Sequence, residues 1–238
     1  MNPANRVIGQ VALIAAAPAV VIAVVLALTA GWVFGLIALV VVGAGLAAWG
    51  LLGGDRVVAS ALGGRTPDAH SDARLINLVE GLCTAAGVSQ PRLLVIDSPG
   101  LNALAAGTST AKAVLAVTSA LLVELDRMEL EAVLAEEIWQ IRHERTRPGT
   151  VAAATFGLGR ALAASAGADT EADQGAISLT RYPPALASAL EKIDAKGAIV
   201  PGQPSYLAGL WLVDPRPEAA ATPGRLPLPE RIEALREL

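Results

Sequence analysis

Four polar residues of one predicted helix have the types and the spacing that chemistry would need. Glu136, Gln140 and His143 follow one another at i, i+4 and i+7, so they lie on one face of the helix. Glu137 falls instead within the apolar stripe of the same helix. A carboxylate is costly to bury unless it is paired or used. The segment around Glu136 and Glu137 is therefore the first candidate for a functional site.

The helix that carries these residues is well marked in the sequence. Asp126 can cap its N-terminus, and Glu129, three residues later, completes a capping-box pattern. Its apolar stripe consists of Leu130, Val133, Leu134, Ile138 and Ile141. We expect the helix to end before Pro148, because proline is poorly tolerated in a helix interior.

A small sheet and several further helices are predicted around this helix. Residues 93–96 and 113–118 have the composition of strands, and residues 102–106 form a weaker strand candidate. Other helices are predicted at residues 72–86, 119–125 and 183–193, and from residue 229 onward. The predicted fold class is α+β and mainly helical.

Two uncharged apolar runs, residues 7–30 and 33–52, precede this part of the chain. Each has roughly 20 residues, which in a helix span about 30 Å of hydrocarbon. The break between them, at Gly31, is too short to hold a domain, so a transmembrane hairpin is predicted. The turn has no Lys or Arg, whereas Arg6 precedes the hairpin and Arg56 follows it. The positive-inside rule therefore places both ends in the cytoplasm.

The composition agrees with a chain that lies partly in lipid. Hydrophobic residues make up 53% of the 238 residues and charged residues 17%. The net charge of −4 does not suggest nucleic acid as a partner. We expect a multi-pass protein of the cell inner membrane, with a transmembrane hairpin in residues 1–55, a linker in 56–71 and a cytoplasmic domain in 72–238. The single cysteine, Cys83, excludes an intrachain disulfide.

Residues 149–168 are small and weakly apolar, with Arg160 near the centre. An arginine at the centre of a membrane segment would cost about 2.5 kcal/mol or more. We therefore expect a helix that packs on the domain or lies at the membrane interface, rather than a third membrane segment.

An ordered series of short motifs runs through the rest of the chain. They are residues 77–80, 86–88, 94–97, 102–107, 116–118, 133–135, 172–173, 184–186, 190–193 and 231–235. Together they resemble the HtpX-like membrane metallopeptidases, which are gluzincins related to the CAAX prenyl proteases. The resemblance implies a gluzincin-like peptidase domain with a small sheet. It also implies an edge strand over the active-site cleft, which includes Asn102, Ala103 and Leu104.

The same resemblance identifies the positions of a zinc site, and their residues are substituted. The zinc helix of the family reads His-Glu-x-x-His, and here the two histidine positions are Glu136 and Gln140. Only Glu137, at the catalytic general-base position, is retained. The third ligand position is Asp169 instead of glutamate, and a C-terminal family histidine corresponds to Arg225. Because the amide of Gln140 is a poor zinc ligand, we expect no zinc or other metal cofactor and a silent Glu137.

Other uses of the cleft remain open at this point. Glu136, Gln140 and Asp169 offer oxygen atoms, which suit calcium or magnesium better than zinc. Alternatively, these residues form hydrogen bonds or an ion pair across the cleft, with Arg142 or Arg145 as candidate partners.

Three functions are compatible with the sequence. The first is a catalytically inactive, membrane-anchored pseudopeptidase that binds or regulates other proteins, with the strand at Asn102 accepting an extended peptide. The second is an active metalloendopeptidase with a non-standard metal site, such as one that combines His143 with Glu136. The third is a purely structural subunit. The expected partners are the lipid bilayer and other membrane proteins or a protease complex.

Overall fold

The computed structural model describes residues 3–157, 168–216 and 225–238. This part of the chain is mainly helical with one three-stranded sheet, which confirms the predicted fold class at that level. The helices are α1 (Pro3–Ala30), α2 (Trp32–Leu62), α3 (Ala73–Ala86), α4 (Ser119–Glu124), α5 (Arg127–Arg142), α6 (Thr146–Ala154), α7 (Ala168–Thr180), α8 (Pro183–Lys196) and α9 (Leu228–Arg236), with a 3-10 helix over Ser205–Leu210. The strands are β1 (Arg92–Ile96), β2 (Ala103–Ser109) and β3 (Lys112–Thr118).

Helices α1 and α2 pack side by side in opposite directions. A Cβ at Gly35 of α2 would lie 2.6 Å from the carbonyl oxygen of Ala23 in α1, so only glycine permits this approach. Further along, a Cβ at Gly43 would lie 3.5 Å from the Cβ of Ala19. Helix α2 is long and apolar enough to cross a membrane, and in α1 residues Pro18–Ala30 form a shorter apolar stretch.

Helix α2 does not end where its apolar run ends. It continues through residues 56–62, which the sequence interpretation assigned to a linker, and stops at Gly63 with a left-handed φ of 65°. The reason lies in packing, because Val58, Ala59 and Leu62 are buried against the sheet. A glycine in a helix interior costs only about 1 kcal/mol relative to alanine, so Gly53 and Gly54 do not break the helix against that packing.

The sheet has the strand order β1-β3-β2, with β1 parallel and β2 antiparallel to β3. Both of its faces are buried. Leu93, Val95 and Leu115 face the main core with α3, α5 and α8, whereas Leu94 and Ala116 face the end of α2. Burial on both faces explains why these strands are continuous apolar runs rather than alternating patterns.

Helix α6 packs along the last apolar turns of α2. A Cβ at Gly50 would lie 2.8 Å from Val151, and one at Gly54 would lie 3.0 Å from Thr150. The indole nitrogen of Trp49 donates a hydrogen bond to the carbonyl oxygen of Ala154 at 3.3 Å. Helix α6 is therefore a short helix packed on α2. The remainder of the predicted segment, residues 158–167 with Arg160, lies outside the described residues.

Candidate functional site

Helix α5 is held at its N-terminus by the predicted capping box. The carboxylate of Asp126 accepts a hydrogen bond from the amide of Glu129 at 2.9 Å, and Glu129 Oε2 accepts one from the amide of Asp126 at 2.8 Å. Glu129 also pairs with Lys192 of α8 at 2.6 Å. These contacts define the first residue of α5 and hold its N-terminal end against α8.

The four polar residues of α5 lie at different depths. Glu136 and Glu137 are fully buried, Gln140 is half-buried and His143 is exposed at the end of the helix. The imidazole of His143 stacks on Trp139 with ring centroids 4.3 Å apart. The predicted face is therefore present, but His143 is turned away from the buried pair.

Glu136 forms a buried ion pair with an arginine that is distant from it in the sequence. Arg231 Nη2, in α9, lies 2.6 Å from Glu136 Oε2, and Arg231 Nε donates to Asp173 Oδ2 of α7 at 2.8 Å. Arg231 is only 2% exposed. Arg231 and Glu136 are close enough to form an ion pair, but the contact does not have the geometry of a hydrogen bond. Neither carboxyl oxygen of Glu136 therefore has a hydrogen-bond partner.

Burial opposes the charge of these two carboxyl groups. It raises the pKa of Glu136 well above the ordinary value, whereas the positive charge of Arg231 lowers it. The pKa of Asp173 is raised for the same reason and is lowered by its hydrogen bonds from Arg231. Since Glu136 and Asp173 share one guanidinium, a proton held by either carboxyl group balances the charge of the cluster.

Asp169, at the third ligand position, is also paired with an arginine. Arg225 Nε donates to Asp169 Oδ1 at 3.1 Å, and the amide of Leu226 donates to Oδ2 at 3.1 Å. The same guanidinium donates to the carbonyl oxygens of Trp211 and Leu212, at 2.5 and 2.8 Å. Both oxygens of Asp169 are thus used, and Arg225 joins them to the 211–212 backbone.

Glu137 is buried near Arg225 and Arg231, and neither of its carboxyl oxygens has a hydrogen-bond partner. The amide of Ala105 in β2 lies near enough to lower the pKa of Glu137 but does not reach hydrogen-bond geometry. Burial is the larger effect and raises the pKa of Glu137 to about 8, against the lowering effect of Arg225 and Arg231. At neutral pH this carboxyl group is therefore mostly protonated, and a protonated carboxyl group is not a general base.

The donor set does not fit a zinc ion. Glu136 and Asp169, two of the three positions, are already bound by guanidinium groups. A divalent cation between them would face Arg225 and Arg231 in a water-poor site, where repulsion between like charges is strong. Among the described residues, no group of three His, Cys, Asp or Glu side chains is arranged to hold a metal ion. The two arginines thus supply the positive charge that a metal ion would otherwise supply to these carboxylates.

The predicted peptide-binding strand is buried. Asn102, Ala103 and Leu104 are each 0% exposed. The amide of Leu212 donates to the carbonyl oxygen of Ala103 at 2.8 Å, and the side chain of Asn102 bonds to the backbone of Val213. A peptide could add to this edge of β2 only if residues 211–213 first moved away.

Sequence reasoning placed the ion-pair partners on the wrong element. Arg142 and Arg145 were the candidate partners, but Arg145 pairs with Glu171 and the cleft carboxylates bind Arg225 and Arg231. No local pattern marks Arg231 as the partner, because its burial depends on how α9 packs against distant segments.

Comparison with known proteins identifies relatives of this sequence. The profile of peptidase family M48 matches residues 69–190. The chain is 34% identical over 203 residues to a protease HtpX homolog of Dictyoglomus thermophilum, covering 68% of this chain and 67% of that protein. It is 31% identical to the corresponding protein of Dictyoglomus turgidum, covering 76% and 75%, and 29% identical to that of Tropheryma whipplei, covering 74% and 76%. No solved structure gives a significant match.

Proposed function

The chain belongs to peptidase family M48, among the HtpX-like proteins, and from that membership we propose that it is a catalytically silent, membrane-anchored peptidase homologue. Its peptidase domain would bind or regulate other proteins of the membrane, such as the subunits of a protease complex. The observation that carries the proposal is the ion pair between Arg231 and Glu136, since Glu136 stands at a zinc-ligand position.

The proposed loss of activity follows from charge as well as from ligand chemistry. Peptide hydrolysis in this family requires zinc to activate water and a glutamate to accept its proton. Here the cations that balance the buried carboxylates belong to Arg225 and Arg231, and they cannot act as a Lewis acid toward water. Burial favours the neutral form of Glu137, which cannot accept a proton. The site therefore supports neither the activation of water by a metal nor the transfer of its proton to a glutamate.

We propose that α1 and α2 form a transmembrane hairpin in the cell inner membrane, with the peptidase domain in the cytoplasm. Exposed apolar side chains along α2, including Trp32, Phe34 and Val40, are suited to contact lipid. The first charged residues after the apolar run are Asp55 and Arg56. Reporter fusions at the C-terminus and at the Gly31 turn test this placement, and a C-terminal reporter exposed outside the cytoplasm would contradict it.

Partner binding is proposed to involve the β2 edge in an exchange of strands. Residues 211–213 now occupy that edge, held by Arg225 through two backbone carbonyls. An extended segment of a partner would form the same backbone hydrogen bonds with Ala103 after displacing them. Cross-linking in native membranes from a photoreactive residue at position 213 would identify the partner.

The decisive experiment compares metal content and proteolysis in matched variants. Purified protein, Glu137→Gln and the same-helix control Glu131→Gln would be analysed for bound metals and for cleavage of casein and of a membrane-protein substrate. We expect less than stoichiometric zinc, and residual cleavage that is equal in all three. Cleavage that Glu137→Gln abolishes and Glu131→Gln retains would instead establish the alternative function, an active metalloendopeptidase with a non-standard metal site.

A further inference from the structure

A polar cleft lies where α2 meets the start of the sheet, and none of the residues of the peptidase site lines it. Its volume is about 410 Å³, within the range of sites that hold small molecules. The residues that line it are Asp55, Arg56, Ala59, Gln90, Pro91, Arg92, Ala111, Lys112, Ala113 and Val114. The cleft thus combines the end of the apolar helix with the first residues of β1 and β3.

Contacts within the structure place this cleft at the level where α2 leaves the apolar region. The hydroxyl of Thr108, at the end of β2, donates to the carbonyl oxygen of Leu51 at 2.9 Å. Ser89, just before β1, donates to the carbonyl oxygen of Thr110 at 2.9 Å. The β2–β3 turn and the start of β1 are therefore tied to the last apolar turn of α2. If α2 spans a bilayer, the cleft lies at the depth of the lipid headgroups.

Three cations from three different elements face this cleft. Arg56 comes from α2, Arg92 from β1 and Lys112 from β3, and all three are exposed. Within the described ranges, none of them lies within ion-pair distance of a carboxylate. Lys196 and Arg236, in contrast, pair with acidic neighbours on the domain surface. Three cations outnumber the one carboxylate in the lining, that of Asp55, so the cleft has a net positive potential that attracts a phosphate.

The cleft also contains a carboxylate that can accept a hydrogen bond. Asp55 lines it as well, and its Oδ1 atom is buried without a hydrogen-bond partner. A buried carboxylate oxygen without a partner loses the free energy of hydration and gains no bond in return. A ligand that donates a hydrogen bond to this oxygen would remove that penalty. The cleft therefore offers cations for a phosphate and an acceptor for a donor group beside it.

We propose that this cleft binds the headgroup of a phospholipid whose phosphodiester carries a terminal hydrogen-bond donor, such as ethanolamine or glycerol. Arg56, Arg92 and Lys112 contact the phosphate, and Asp55 accepts a hydrogen bond from the ammonium or hydroxyl group. A choline headgroup has the same phosphate but no donor, so it satisfies only half of the site. The inference rests on the membrane placement of α2 proposed above and is independent of proteolytic activity.

The test is native mass spectrometry of the full chain in detergent with defined lipids of identical acyl chains. Phosphatidylethanolamine, phosphatidylglycerol and phosphatidylcholine are compared, with inorganic phosphate as a separate competitor. The cleft variant is Arg92→Gln with Lys112→Gln. Its matched control is Arg127→Gln with Arg142→Gln, which removes the same charge from two exposed arginines elsewhere. Thermal unfolding of each variant verifies that the fold is kept.

We expect the cleft variant to bind the ethanolamine or glycerol lipid roughly 10- to 30-fold more weakly, and the control to bind as the wild type does. Asp55→Asn should reduce the preference for phosphatidylethanolamine over phosphatidylcholine. Equal binding by the cleft variant and its control would overturn the proposal, as would wild-type binding that does not distinguish choline. Displacement of the lipid by millimolar inorganic phosphate would show a site for free phosphate and would also overturn it. Because no readout uses cleavage or zinc, these outcomes are separate from a failure of the pseudopeptidase proposal.

Discussion

Arg231 Nη2 lies 2.6 Å from Glu136 Oε2, and both side chains are almost completely buried. These residues are far apart in the sequence, and the contact links the C-terminal helix α9 to α5 at the centre of the fold. The same guanidinium binds Asp173 of α7. One arginine thus connects three helices around the positions that hold zinc in the family.

Removing Arg231 should destabilise the protein strongly. The substitution Arg231→Met leaves Glu136 and Asp173 buried without a counter-charge, and the loss of one partner from a buried ion pair costs about 3–5 kcal/mol. Denaturant unfolding of the full chain in detergent measures this loss. The control is Arg236→Gln, because Arg236 pairs with Glu191 on the surface and should matter by less than about 1 kcal/mol. Equal effects of both variants would contradict the central role of Arg231.

Stability should fall as pH rises, owing to Glu137. Burial raises the pKa of Glu137 from 4.5 to about 8 in the folded protein, so the folded state holds a proton that the unfolded state has lost. This contribution is fully present below pH 4.5 and is lost as pH rises toward 8. Glu137→Gln cannot ionise, so relative to the wild type it should become more stable by about 1–3 kcal/mol between pH 5 and pH 8.

Thermal unfolding of wild type and Glu137→Gln across that pH range gives the comparison. Glu136 and Asp173 also have raised pKa values and contribute in the same direction, but they are present in both proteins. Only the difference between the two curves reports on Glu137. A difference that stays constant from pH 5 to pH 8 would mean that Glu137 ionises normally.

Restoring the family's ligands should not by itself restore zinc binding. The triple variant Glu136→His, Gln140→His, Asp169→Glu keeps the guanidinium of Arg225 beside the site, and its charge repels a divalent cation. We expect substoichiometric zinc in metal analysis of this variant. Adding Arg225→His removes one of the two repelling guanidinium groups and should raise the zinc content above that of the triple variant, whereas adding Arg236→His, remote from the cleft, should not. A full equivalent of zinc in the triple variant would refute the repulsion argument.

Arg225 should hold residues 211–213 against β2. Its guanidinium donates to the carbonyl oxygens of Trp211 and Leu212, and charge-assisted hydrogen bonds of this kind contribute about 1.5–3 kcal/mol. In Arg225→Gln, amide hydrogen exchange at Leu212 should accelerate roughly 10- to 100-fold. Arg216→Gln serves as the control, since Arg216 pairs only with the neighbouring Asp214 among the contacts described. Unchanged exchange at Leu212 would show that the strand is held by other contacts.

Helix α7 should tolerate no side chain at Gly175. A Cβ there would overlap the indole ring of Trp139 in α5, and overpacking of this kind typically costs about 1–3 kcal/mol. Gly175→Ala should therefore lower the thermal unfolding midpoint. The matched substitution Gly81→Ala meets no atom within 4 Å in α3 and should raise it, because alanine favours a helix by about 0.5–1 kcal/mol. If both substitutions stabilised the protein, α5 and α7 could not be packed as closely as described.

The local structure of α5 could be predicted from the sequence because its determinants are close together. Asp126 and Glu129 lie three residues apart and form the predicted capping box. The apolar residues from Leu130 to Ile141 are buried as predicted, and because the helix is central, Glu136 and Glu137 are buried with them. Gly87 likewise ends α3 with the left-handed conformation expected of a C-cap glycine.

The ion pairs of the site could not be predicted in the same way. Local spacing favoured Arg142 and Arg145 as partners, since both lie within nine residues of Glu136 in the sequence. The actual partner, Arg231, reaches Glu136 only because α9 folds back onto α7 and α8, and that arrangement depends on contacts between distant segments. The extension of α2 through residues 56–62 was missed for a related reason: Val58 and Leu62 are stabilised by the sheet, which a local hydropathy pattern does not contain.

The unbroken course of α2 from its apolar run into the core has a mechanical consequence. Val58, Ala59 and Leu62 are buried against the sheet and belong to the same continuous helix that begins at Trp32. No break in the helix therefore separates the apolar part of α2 from the peptidase domain. The peptidase domain is joined to the apolar part of α2 by continuous helix and not by a flexible linker. If α2 spans the membrane as proposed above, this continuous helix fixes the distance and the orientation of the peptidase domain relative to the bilayer.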